Sequence, residues 1–268
     1  MHRKPIHLPK GLAWTWPCLR LIRWLVRHEL ALLLILCSAG AGLWVFIELA
    51  DEVVEGDTHA LDERILLAMR TPGDPSDPLG AKWVEELARD FTALGGTGIQ
   101  VVITLAMGGA LLLQRQRRAA ILVVGAVAGG VIISLLLKEG FDRPRPDLVP
   151  HGSYTYTSSF PSGHSMTSAV TYLTLGALLA HLLPGRGMRI YFISLAGLLT
   201  MCVGLSRVYL GVHWPTDVVA GWTAGCVWAL LCSILMRWLQ RADRIEEPGE
   251  TTEELLESQE NPDALPPV

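Results

Sequence analysis

The feature that most constrains this chain is a set of six apolar blocks, at about residues 30–50, 95–113, 119–137, 165–183, 190–205 and 218–239. A helix needs about 20 apolar residues to cross the hydrocarbon core of a bilayer, and these blocks are uninterrupted rather than striped. Half of all residues are hydrophobic, only 18% are charged, and the mean hydropathy is +0.36. A soluble domain would have to bury nearly all six helices inside one small globule. The sequence therefore predicts an all-α fold, a six-helix transmembrane bundle.

The two ends differ from this body. Residues 1–29 form a basic segment in which Trp14, Trp16, Leu19, Leu21, Ile22, Trp24 and Leu25 interleave with Arg20, Arg23 and Arg27. That mixture suits an interfacial helix on an anionic leaflet better than a nucleic-acid-binding arm. The first apolar block starts only near residue 30 and reads as an uncleaved anchor. Residues 30–240 form the membrane domain, and residues 241–268 a tail. Eight of the 26 acidic residues lie from Glu246 onward, where there is no Lys or Arg and where Pro248, Pro262, Pro266 and Pro267 occur. Such composition predicts a solvated, disordered tail. The five cysteines show no CxxC and no Cys/His spacing for zinc, so no metal site is expected.

Charge sets the orientation. Arg3, Lys4, Lys10, Arg20, Arg23 and Arg27 precede the first span; Arg115, Arg117 and Arg118 follow the second; Arg186 and Arg189 follow the fourth; Arg237, Arg241 and Arg244 end the sixth. If six spans alternate, all of these fall on one side, which the positive-inside rule makes cytoplasmic. The first-to-second loop is acidic instead, with Asp51, Glu52, Glu55, Asp57, Asp62, Glu63, Asp74 and Asp77. Both termini are then cytoplasmic. In this loop Trp83, Val84, Leu87, Phe91 and Leu94 recur at helical spacing and predict an amphipathic surface helix. Gly125 and Gly129, and Gly221 and Gly225, are spaced to let helices approach closely.

Polar residues with chemical potential stand at the ends of the spans. Lys138 and Arg145-Pro146 follow span three, Pro161-Ser162-Gly163-His164 precede span four, and Ser206-Arg207, His213 and Asp217 lie between spans five and six. By parity all three groups meet at the non-cytoplasmic face. A phosphoryl group in transfer spreads negative charge over three oxygens, so its catalysis is mostly positioning and electrostatics. Arg145 and Arg207 offer planar two-pronged donors and Lys138 a compact charge. A Ser-Gly turn opening a helix exposes backbone N–H groups at the positive end of its dipole, although Ser162 also reads as an ordinary N-cap. His213 and Asp217 are four apart, so a helical turn can pair them and leave one ring nitrogen free to attack phosphorus. His28, His59 and His181 read as interfacial hydrogen-bonding residues.

At these residues the chain resembles the type 2 phosphatidic acid phosphatase superfamily. That family's pattern is Lys, six residues, Arg-Pro; then Pro-Ser-Gly-His; then Ser-Arg, five residues, His, three residues, Asp. Lys138, Arg145, Pro146, Pro161, Ser162, Gly163, His164, Ser206, Arg207, His213 and Asp217 match it without a departure. The resemblance covers about residues 30–240. It implies a membrane-embedded helical bundle that removes phosphate from lipids with no metal or other cofactor. It further implies that His213 is the nucleophile forming a phosphohistidine and that Asp217 orients it. His164 would protonate the leaving oxygen, and Lys138, Arg145, Ser162, Gly163 and Arg207 would cradle the phosphate.

The expected partners are a lipid phosphate and the bilayer, with no nucleic acid. The expected location is the plasma membrane, a bacterial inner membrane, with the site facing the periplasm or exterior. Undecaprenyl diphosphate is the first substrate expected, then phosphatidylglycerophosphate or phosphatidate. An alternative is a phosphotransferase that moves phosphate from a polyprenyl diphosphate to another lipid. Vanadate-dependent haloperoxidases share the oxyanion cradle but are soluble, unlike a chain with six spans. A lipid-carrier transporter would need charges inside the spans, and Glu48, near the end of the first, is almost the only one.

Overall fold

A computed structural model describes residues 15–148, 158–183 and 185–246. Residues 247–268 of the acidic tail, the first 14 residues and most of the polar stretch 147–160, including Tyr154 and Tyr156, lie outside the described residues, whereas residues 241–246, expected in the disordered tail, continue α8 because its backbone hydrogen bonds run on past the apolar block. The helices are α1 (Thr15–Glu55), α2 (His59–Ala68), α3 (Lys82–Leu94), α4 (Thr97–Leu113), α5 (Arg117–Glu139), α6 (Gly163–Leu182), α7 (Arg186–Tyr209) and α8 (Pro215–Glu246). Five of them are long and apolar enough to cross a bilayer, and α3 with α4, bent by 52° at the junction, makes a sixth span if taken as one. The helical-bundle expectation holds. One element was not foreseen: a short antiparallel hairpin, β1 (Arg70–Thr71) with β2 (Asp74–Pro78), turning at Gly73 with φ +90°.

The helices outrun the apolar blocks. Helix α1 passes without a break through residue 29, where the composition divides the basic segment from the first span. Lys138 lies in the last turn of α5 and Arg207 in the last turn of α7, rather than in the loops where hydropathy placed them. The physical reason is that backbone i to i−4 hydrogen bonds continue through polar residues as readily as apolar ones. Both cations thereby gain a rigid base.

Helix α6 is the centre of the bundle, packed by α5, α7 and α8, while α1 lies along α8 and α3 along α7. Of the apolar window in α6, 67% is buried, against 6% for α1. A polar-tolerant sequence on α6 (Ser165, Ser168, Thr171, Thr174) is thus shielded from lipid, and large side chains such as Trp44, Val102, Leu113 and Ile190 point outward. With no hydrophobic drive between helices in lipid, close backbone approach matters more. A Cβ at Gly221 would stand 2.6 Å from the Ser162 carbonyl oxygen, and one at Gly225 would stand 2.5 Å from the Met166 carbonyl oxygen. Gly129 receives the Trp228 indole, but Gly125 meets nothing within 4 Å, so only three of these four glycines serve contact.

Gly221→Ala is therefore expected to push α8 off the start of α6, because the obstacle is backbone rather than a movable side chain. Overpacking of this kind costs about 1–3 kcal/mol. Thermal unfolding in detergent checks it, with Gly125→Ala as the silent control; equal midpoints for the two variants would contradict the packing argument.

Candidate active site

Four helix ends converge at one end of the bundle: the C-termini of α5 and α7 and the N-termini of α6 and α8. Helix α8 begins with Pro215 at its first position, where a missing N–H costs nothing. Asp217, in the same turn, reaches back to accept the Trp214 N–H at 2.9 Å, the return half of a capping box. Its Oδ2 also lies 3.3 Å from His213 Nδ1. The pairing expected from the four-residue spacing is present, with Asp217 and His213 almost fully buried.

Arg145 lies on the other side of the imidazole. Its Nη1 is 3.2 Å from His213 Nε2 and donates to the Val212 carbonyl at 2.9 Å. A guanidinium has donors only, so Nε2 must be the accepting, unprotonated nitrogen and Nδ1 must carry the hydrogen that faces Asp217. Burial, followed by the positive charges of Arg207, Arg145 and Lys138, holds the His213 pKa well below its ordinary value. The ring is thus neutral, with its lone pair directed among cations. Arg145 is also lowered by burial, opposed by Asp217, though a guanidinium keeps its charge at any relevant pH.

The other expected residues surround this ring. Lys138 Nζ donates to the Ser158 carbonyl at 3.1 Å, and the Lys138 side chain lies against Gly163, where a Cβ would meet its Cε at 3.4 Å. Arg207 Nη1 donates to Thr92 Oγ1 at 3.0 Å, while its Nε is buried without a partner. An orphaned buried donor of this sort fits an oxyanion. His164, in the first turn of α6, is within electrostatic reach of Arg207, His213, Lys138 and Arg145. It packs beside Gly95, where a Cβ would meet Val203 Cγ1 at 2.4 Å and the His164 Cβ and Cδ2 at 3.2 Å.

Ser162 resolves into a cap with a second function. Its Oγ accepts from Ser165 N at 3.5 Å and Ser165 Oγ at 3.0 Å, and its own backbone N–H donates to the Asp217 carbonyl at 2.9 Å. The backbone N–H considered for phosphate is therefore occupied in tying α6 to α8. The Ser162 hydroxyl hydrogen remains available for an anion.

Several contributors escaped the sequence reading. Arg143 donates to Asp217 Oδ1 at 2.6 Å and to Asp62 Oδ2 at 2.7 Å. Asp62, read above only as a loop acid marking the outer side, is fully buried. Thr92 and Gly95, at the bend between α3 and α4, support Arg207 and His164. The signal for Arg143 was present as a doubled Arg-Pro dipeptide, Arg143-Pro144-Arg145-Pro146. Nothing in the composition distinguished Asp62 from its acidic neighbours. Among the described residues no group of three or more His, Cys, Asp or Glu is placed to hold a metal ion.

The PAP2 superfamily model matches residues 119–241, the stretch from α5 to α8 that carries all three motifs. Phosphatidylglycerophosphatase B of Bacillus subtilis is 33% identical over 147 residues, covering 53% of this chain and 70% of the relative. An undecaprenyl-diphosphatase of Sulfolobus acidocaldarius is 37% identical over 89 residues, covering 33% of this chain and 38% of the relative. Among solved structures, a transmembrane PAP2 type phosphatidylglycerolphosphate phosphatase from Bacillus subtilis superimposes with a TM-score of 0.66 at 26% identity, covering 75% of this chain and 96% of that one. With the motifs, the helix order and this extent of similarity in agreement, the chain belongs to the PAP2 superfamily.

Proposed function

We propose that this chain is a membrane lipid phosphatase that passes a phosphoryl group from a lipid to His213 and then to water. The observation that carries the reading is the setting of buried His213: Nδ1 lies 3.3 Å from Asp217 Oδ2 and Nε2 lies 3.2 Å from Arg145 Nη1, an arrangement that suits a neutral ring with its lone pair on Nε2. In the first step the Nε2 lone pair forms the N–P bond while the bond from phosphorus to the leaving oxygen breaks. His164 gives that oxygen its proton. In the second step His164, now neutral, takes a proton from water as the water oxygen attacks phosphorus, releasing inorganic phosphate and restoring His213. Lys138, Arg145, Arg207 and the Ser162 hydroxyl bind the phosphoryl oxygens, and the first turn of α6 at Gly163 adds backbone N–H groups. Arg145, which now faces Nε2, turns onto the phosphate when substrate arrives. The positive charge that offsets the phosphate thus comes from the protein itself.

The site opens on the non-cytoplasmic face. Supporting this, Thr216 N–H and Arg70 bond across between the catalytic end of the bundle and the acidic segment α2–β1, while Arg115, Arg117, Arg118, Arg186 and Arg189 lie at the opposite helix ends. Among substrates we rank phosphatidylglycerophosphate ahead of undecaprenyl diphosphate, the order opposite to that expected from the sequence; the names of phosphatidylglycerophosphatase B and of the solved structure support this ranking.

The test is phosphate release by the detergent-purified chain. Phosphatidylglycerophosphate, undecaprenyl diphosphate and phosphatidate are offered side by side, each with and without an acceptor lipid, and His213→Ala is the blank. Release of inorganic phosphate by the wild type alone supports the reading. Label found only on the acceptor lipid replaces hydrolysis by phosphotransfer, and no transfer from any lipid overturns it.

A further inference from the structure

Asp217 has two carboxylate oxygens, and the mechanism above uses one. Oδ2 serves His213 and the Trp214 N–H; Oδ1 is held by Arg143 Nη1 at 2.6 Å. The opposite prong of the same guanidinium, Nη2, is held by Asp62 Oδ2 at 2.7 Å. Asp62 is fully buried and the Arg143 side chain is 10% exposed, so neither interaction is a solvated surface pair. Asp62 also reaches α8 directly: its Oδ1 accepts the Thr216 N–H at 2.9 Å, and its Oδ2 accepts from Thr216 Oγ1 at 2.5 Å.

That last contact has a reason in helix chemistry. The first N–H groups of a helix have no internal partner, and the residue before Pro215 is Trp214, whose side chain cannot accept a hydrogen bond. A carboxylate from α2 supplies the cap that α8 lacks in its own sequence. The rest of this segment braces the neighbouring helix end, since Arg70 Nη2 donates to the Tyr209 carbonyl at the end of α7 at 2.9 Å. Helix α2 and β1 therefore hold both helix ends that flank the loop bearing His213.

Arg143 is fixed as firmly from its other sides. Its carbonyl accepts the Ser159 N–H at 2.9 Å, its guanidinium lies 5.7 Å from the Trp214 ring centroid, and Nη1 also donates to Thr216 Oγ1 at 2.8 Å. Only a planar fork can serve Asp62 with one prong and Asp217 with the other at these separations.

We propose that Asp62 and Arg143 are positioning residues for the reaction: together they clamp Asp217 so that its Oδ2 keeps the proton of His213 on Nδ1 and the lone pair on Nε2. Neither touches the phosphate, whose oxygens belong to Lys138, Arg145 and Arg207. This inference rests on the phosphohistidine reading for its catalytic consequence, but its structural core, the His213 tautomer, is measurable without substrate.

The experiment uses the full chain in detergent, with Arg143→Lys, which keeps the charge but loses the fork, and Asp62→Asn, which keeps the shape and an acceptor for Thr216. ¹⁵N-histidine NMR, with the His213 signals assigned by their loss in His213→Ala, reports which ring nitrogen carries hydrogen. The wild type is expected to show Nδ1–H, and both variants a mixture with Nε2–H. Turnover of phosphatidylglycerophosphate is expected to fall about tenfold or more in kcat, as misplacement of a reacting group does. Competitive inhibition by inorganic phosphate is expected to change by less than about threefold, because the cradle is untouched.

An unchanged tautomer and unchanged kcat in both variants overturns the proposal. So does a parallel loss of phosphate affinity, kcat and thermal midpoint with the tautomer retained, which marks a purely structural bond. If Arg143→Lys fails to fold, Asp62→Asn alone decides by the same readouts. Turnover that survives in His213→Ala removes the phosphohistidine reading instead, while the NMR result still stands or falls by itself.

Discussion

His213→Ala is expected to lower turnover by about 10⁴- to 10⁶-fold, the scale seen when an enzyme loses its nucleophile, and to abolish any acid-labile phosphoenzyme. The size follows from what the ring does. The imidazole is neutral inside a cluster of three cations, so its lone pair is available at neutral pH without a general base to activate it. Alanine leaves the cradle intact, and phosphate is expected to bind the variant as an inhibitor. Rapid quenching of the wild type with ³²P-labelled lipid, followed by alkaline-stable recovery of label on protein, is the direct check. Label recovered equally from His213→Ala would assign the nucleophile elsewhere.

The same ring sets an acid limit to activity. Its pKa is held below the ordinary value by burial and then by Arg207, Arg145 and Lys138. Protonation destroys the nucleophile, so kcat/KM stays high until the pH falls through this depressed pKa. The acid limb of the free enzyme is therefore expected below about 6.5, the value of an unperturbed histidine. A limb at or above that value would contradict the neutral, buried ring.

His164→Ala is expected to cost about 10²- to 10⁴-fold with a lipid substrate, the usual range for loss of a general acid. The pattern matters more than the size. A lipid alkoxide is a poor leaving group and needs the proton; p-nitrophenolate does not. With p-nitrophenyl phosphate the variant is expected to form phosphoenzyme at a rate near that of the wild type, then to accumulate it, because water has lost its base. Steady-state label on His213 should rise in this variant while it vanishes in His213→Ala. Equal losses on both substrates, with no accumulation, would reduce His164 to a packing residue beside Gly95.

Much of the site was legible because its chemistry is local in sequence. His213 and Asp217 lie four apart at a helix start, Ser162 and His164 open α6, and Lys138 closes α5; each pairing needs only one helical turn and a span of known length. Parity of spans then brings the groups to one face without any knowledge of packing. The hydropathy pattern failed at helix ends for the complementary reason. It reports where lipid contact stops, whereas the helix stops where its hydrogen bonds do, so Lys138 and Arg207 proved to be helical. Gly125 likewise shares the four-residue spacing of Gly129, but a Cβ at its position would meet nothing within 4 Å. Spacing shows that two residues share a face, and cannot show what lies opposite.

The sequence by itself determined the mostly helical membrane body and the placement of Lys138, Arg145, His164, Arg207, His213 and Asp217 together at one end of it, because bilayer thickness and helical periodicity convert residue order directly into place. Only the tertiary structure decided how Asp217 is held. Asp62 is 154 residues from Thr216 and 81 from Arg143, and its ten acidic neighbours in the same loop look no different in composition. Folding buries this carboxylate where a helix start has an uncapped N–H and a guanidinium has a free prong. Such a choice depends on three segments meeting in space, and no local pattern encodes it.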